Sequence, residues 1–142
     1  MPQHQLTPED IYTFAKSEFP EYQRAITLST RLAEDLKLLG DDASEFIERF
    51  SEQFNVDLSG FVFSDHFPAE GSAEMLAYLS RVAAPSKHTL IRFMRRFDCA
   101  LWQLFANKIS FKPVTLEHLY LSAKSGSWAY EQSTQLSTRQ AK

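Results

Sequence analysis

The sequence predicts a mostly α protein, a small helical bundle in one domain. Three observations carry that prediction. Apolar residues recur at three- and four-residue spacing, most clearly at Ala43, Phe46, Ile47, Phe50 and Phe54. The stretches with that spacing are bounded by helix-capping residues, proline or glycine. A chain of 142 residues, 44% hydrophobic and with twelve phenylalanines, has enough apolar material for one packed core.

The first helix is expected to start at Thr7-Pro8-Glu9-Asp10. Threonine caps, proline suits the first turn, and acids favour the positive end of the helix dipole. Ile11, Phe14, Ala15 and Phe19 follow at helical spacing, and Pro20 ends the run. Residues 22–29 have no clear period and fit a turn followed by a short extended piece. Residues 31–36 fit one helical turn, which Gly40 breaks. Asp41 or Asp42 is then expected to cap a second helix, with Glu45 three residues after Asp42 as in a capping box. That helix is amphipathic, with Glu45, Glu48, Glu52 and Gln53 opposite its apolar stripe.

Residues 55–63 fit a short strand or an extended loop, with Ser59-Gly60 favouring a bend. Met75, Leu76 and Leu79 suit one face of a helix over 72–82. The longest candidate helix is 89–108, striped by Leu90, Met94, Phe97, Leu101, Leu104 and Phe105. Thr115 caps a last helix through Lys124, and Gly126 stops it. Trp128 is placed to anchor the end of that helix. The single domain is expected over 1–130, with a polar tail at 131–142.

Net charge is −3, but its distribution is lopsided. Residues 34–57 hold eight acids against Lys37 and Arg49; residues 81–112 hold seven bases against Asp98. The basic segment surrounds an apolar stripe. The overall acidity and the lack of a helix-turn-helix pattern argue against nucleic acid. Phe93, Phe97 and Trp102 allow contact with a membrane surface. Arg92, Arg95, Arg96 and Asp98 interrupt the stretch, so it is not a spanning helix. Cys99 is the only cysteine, which excludes an intramolecular disulfide frame and fits a reducing cytoplasm. The opening MPQHQLTPEDIY has no basic start followed by an apolar run, so no signal peptide is expected. His4, His66, His88 and His118 have no i, i+4 pairing and no cysteine companion, so no metal site is expected. No phosphate-binding loop, nucleophile elbow or metalloprotease motif is present.

The run from Leu32 reads LAEDLKLLGDDASEFIERFSEQFNVDL. It resembles the centre of an acyl or peptidyl carrier protein. Asp35-Leu36, Glu45-Phe46, Phe50, Phe54 and Asp57-Leu58 fall on the carrier pattern without a gap. Gly40, between Leu39 and Asp41, stands where carriers have the serine that takes a phosphopantetheine arm. Glycine has no hydroxyl, so no cofactor is expected. The chain is also similar to a bacterial family, domain of unknown function 1493. That family has the run Asp-Leu-x-x-x-Gly-Asp-Asp-Ala-x-Glu-Phe, matched from Asp35 to Phe46. The likeness continues at Val56-Asp57-Leu58, Phe61, Phe67-Pro68 and Glu70-Gly71. It closes at Thr115-Leu116 and Ala123-Lys124-x-Gly126-x-Trp128.

The carrier resemblance implies an acyl-carrier-protein-like bundle, with residues 71–113 inserted where carriers have a short third helix. It also implies that the second helix is a recognition surface for basic partners. The expected function is therefore a non-catalytic, cytoplasmic protein-binding module. Asp41, Asp42, Glu45, Glu48 and Glu52 would face the basic partner, with no catalytic residues. The same acids could instead be a solvated helix face. Two rival functions are an enzyme or enzyme subunit in lipid or peptide-carrier metabolism, and a peripheral membrane regulator using residues 89–108.

Overall fold

The computed structural model describes residues 5–69, 72, 73, 75 and 111–131. Those residues are mostly helical. In chain order the helices are α1 (Pro8–Glu18), α2 (Gly40–Phe54), the single turn α3 (Phe63–His66) and α4 (Leu116–Ser125). Among the described residues, extended pairing is limited to two isolated bridges, Arg31 with Thr115 and Asp57 with Ser127. Apart from Ser72, Ala73 and Met75, the expected helices at 72–82 and 89–108 lie outside the described residues. So does the tail beyond Glu131.

α1 starts as its sequence dictates. The Thr7 backbone N–H donates to the Asp10 carboxylate at 2.7 Å, which satisfies a donor that the helix leaves open. Pro8 takes the first position, where no N–H is needed. At the other end the Phe19 N–H closes on the Ala15 carbonyl at 3.0 Å. Ile11, Phe14 and Ala15 form the buried face.

A single helical turn follows the loop at 20–30. The Asp35 N–H returns to the Arg31 carbonyl at 3.1 Å, and the Asp35 carboxylate accepts the Arg31 backbone N–H at 2.8 Å. Lys37 then takes a left-handed conformation, φ 60°.

α2 departs from expectation at its start. Its N-cap is Leu39, with no side-chain cap bond, so the Asp42–Glu45 capping box does not form. The first residue is Gly40, buried and at φ 57°. A left-handed backbone costs a residue with a Cβ roughly 1–2 kcal/mol, so glycine belongs here on conformational grounds. Asp41 and Asp42 fall inside the first turn, where their charge meets the dipole instead of an open N–H. At the C-terminus Asn55 is left-handed, φ 54°, a conformation asparagine tolerates. The Ser51 hydroxyl donates to the Val56 carbonyl at 2.7 Å and ties off the end.

The core lies where α1, α2 and α4 meet. Ile11, Phe46, Phe50, Leu116 and Leu119 are fully buried, and Phe14 nearly so. Phe14 sits 5.1 Å from Phe46 and 6.2 Å from Phe50 between ring centroids. Phe54, expected to be largely buried as part of the apolar stripe, is only half-buried and meets Phe14 edge-on at 5.6 Å. It belongs to the last turn of α2, at the margin of the core.

Backbone bonds fasten the rest to this core. Leu32, Leu116 and Glu117 donate to Val114, Thr30 and Leu28, which pins the 28–32 loop along the start of α4. Residues 55–62 are the loop alternative. Asp57 donates to the Gly126 carbonyl at 2.9 Å, and the Trp128 N–H donates back to Asp57 at 3.0 Å. Gly126, φ 77°, ends α4 and turns the chain into that contact.

Candidate functional site

Two surfaces carry chemistry. The first is the solvent face of α2. Every third or fourth residue from Ala43 to Phe50 is committed to the core, so the residues between must face outward. Asp41, Asp42, Glu45, Glu48 and Glu52 are all exposed. Glu45 is partly neutralised by Arg49 at 3.3 Å, and Arg49 also reaches Glu18 at 2.8 Å. Asp41, Asp42, Glu48 and Glu52 have no ion-pair partner among the described residues. The face is a row of exposed carboxylates, of which Glu48 and Glu52 meet neither an ion-pair partner among the described residues nor the positive end of the helix dipole.

The second surface was not legible from residue spacing. His66 and His118 lie far apart in sequence and have no motif in common. The Asp57–Ser127 bridge brings the α3 region against the segment after α4. Phe61, His66, Trp128 and Tyr130 then form one aromatic cluster with His118. His66 stacks on Phe61 at 5.2 Å and 9°. His118 stacks on Tyr130 at 4.4 Å and 9°, while His66 lies 4.9 Å from the same ring.

Each histidine has its tautomer fixed by a backbone group. The Thr115 N–H donates to His118 Nδ1 at 3.0 Å, and the Thr115 hydroxyl lies 2.7 Å from that nitrogen. An N–H can only donate, so the ring proton of His118 sits on Nε2. His118 stands at the third helical position, where glutamate or glutamine closes a capping box. A carbonyl can only accept, so His66 Nδ1–H donates to Lys112 at 2.9 Å, and Nε2 keeps its lone pair. Burial, with the nearby His66 as a lesser cause, holds the His118 imidazole down to about 4. Burial also lowers His66, against the opposing pull of the Lys112 carbonyl. Both rings are neutral at pH 7.

Beside the cluster is a cavity of about 520 Å³, lined by residues of the 60–66 and 128–131 segments and Lys112. His66 is 5% exposed and lines it. No group of three or more potential metal ligands comes together among the described residues. No helix there is long and apolar enough to cross a membrane.

A family model described as a protein of unknown function (DUF1493) matches residues 5–96, more than half of the 142. The chain belongs to this family. The match takes in α1, α2 and α3, including the acidic face and Gly40. The similarity noted at Thr115-Leu116 and from Ala123 to Trp128 lies beyond the matched residues. Neither the curated proteins nor the solved structures include a match to the chain.

Proposed function

We propose that this DUF1493 protein is a non-catalytic binding module. It resembles an acyl carrier protein without the prosthetic-group serine, and it recognises a basic protein through the acidic face of α2. The observation that carries the reading is the division of labour on α2. One side packs into the core through Ala43, Phe46, Ile47 and Phe50, while the other presents Asp41, Asp42, Glu45, Glu48 and Glu52 to solvent. Clustered charge of one sign steers an oppositely charged partner at long range and sets specificity. The three helices around one core support the likeness to carriers. Gly40 has no hydroxyl to phosphorylate and is buried. A cytoplasmic setting is part of the proposal and fits the single cysteine.

Zero-length carbodiimide coupling in native extract tests the reading, because it joins carboxylates only to amines in direct contact. Cross-links from Glu45, Glu48 or Glu52 to lysines of one partner are expected, fading as salt is raised. Cross-links that spare α2 altogether would overturn it. The carrier side has its own check. A broad-specificity phosphopantetheinyl transferase with coenzyme A should leave the intact mass unchanged.

A further inference from the structure

The cavity beside His66 has a consistent chemical preference. His66 is 5% exposed, and its Nδ1–H is committed to the Lys112 carbonyl. Its Nε2 has no bond among the described residues and offers only a lone pair. Two carboxylates, Asp65 and Glu131, line the same space. So do the rings of Trp128 and Tyr130, whose planes lie 20° apart at 6.5 Å. Acceptors, carboxylates and π faces all favour a cation that carries N–H groups.

The chain's own cation already samples this preference. The Lys112 ammonium stands 3.7 Å from Asp65 and 5.9 Å from the centre of the Tyr130 ring. Both distances are near the outer limit for such contacts, and the lysine side chain is 58% exposed. A flat guanidinium fits better. It can lie flat along a ring while its in-plane N–H groups donate to Nε2 and a carboxylate, a geometry a compact ammonium does not match as closely.

We propose that this cavity receives an arginine side chain of the basic partner, displacing Lys112. The inference takes the basic partner from the proposed function, and its assay needs no partner at all. N-acetyl-arginine methylamide serves as the probe, followed by the Trp128 indole N–H resonance in NMR titration. Saturable shifts are expected in the wild-type protein. Glu131→Gln should weaken binding by about three- to tenfold through loss of a carboxylate. Trp128→Leu should weaken it by about tenfold, read at the Tyr130 amide.

Lys112→Met decides the sign. It keeps the backbone carbonyl that orients His66 and removes the competing ammonium, so affinity should rise about threefold or more. An anion site would respond in the opposite way. Binding of acetate or phosphate that Lys112→Met abolishes would overturn the proposal, as would no saturable shift with the arginine probe. The charge-reversed α2 protein, with Glu45, Glu48 and Glu52 changed to lysine, should bind the probe as wild type does. A cavity that fails while α2 still captures its partner refutes this inference alone.

Discussion

In one region of the molecule α1 meets α2 through phenylalanine rings; in another, α3 meets α4 and the segment after it through histidines, a tyrosine and a tryptophan. Apart from the half-exposed Arg49–Glu18 ion pair at its edge, the first contact contains nothing that titrates. Phe14, Phe46 and Phe50 are buried against each other, and the carboxylates of α2 point away. The second is built from polar rings held neutral by burial. The buried phenylalanine rings are therefore indifferent to pH and intolerant of lost volume. The histidine side is sensitive to pH. The acidic face belongs to neither contact, which leaves its charges available.

The largest effect should come from the phenylalanine side. Phe50 is fully buried and touches both Phe14 and Phe54. Phe50→Ala should cost about 3–5 kcal/mol, seen as a large drop in the denaturant midpoint. A midpoint that hardly moves would mean that the two sides do not differ as described.

The histidine side should respond to acid. Between 6.5 and about 4, the unfolded chain binds a proton at His118 that the folded chain refuses. Stability must therefore fall as pH drops through that window, by about 2–3 kcal/mol, with His66 acting in the same direction. Protonation would also turn Nδ1 into a donor facing the Thr115 N–H. His118→Gln keeps an acceptor at the third helical position and cannot titrate. It should flatten the decline in urea melts taken from pH 7 to pH 4.

Gly40 sharpens the comparison at the start of α2. Its φ of 57° makes Gly40→Ala costly by about 1–2 kcal/mol, although no polar contact is lost. Ordinary helix propensity would favour alanine, so a gain in stability would show that the glycine is not conformationally required.

How much the sequence discloses follows the same division. The boundaries of α1 and α4, the buried stripe of α2 and its exposed acids are local patterns, and each was readable within a few residues. The start of α2 was not. Asp42 and Glu45 have capping-box spacing, but the left-handed turn at Gly40 begins the helix three residues earlier and puts Asp42 inside it. The histidine cluster was hidden for a different reason. Its members come from 61–66 and 118–130, and they are joined by the Asp57–Ser127 bridge and by the backbone bonds of Lys112 to Asp65 and His66. No periodicity encodes such a contact. The one local hint was Thr115-x-x-His118, which has the spacing of a capping box with histidine in place of glutamate.

The smallest stability change should come from the acidic face, and it bears on the central claim most directly. Glu45, Glu48 and Glu52 are changed together to lysine, and thermal stability and partner capture are measured on the same preparation. The loss of one exposed Glu45–Arg49 pair costs about 0–1 kcal/mol, so the melting temperature should stay within a few degrees of wild type. Capture of the basic partner should be abolished. A folded triple variant that still binds every wild-type partner, or a variant that unfolds, would contradict the account of α2 as a helix with one face for the core and the other for recognition.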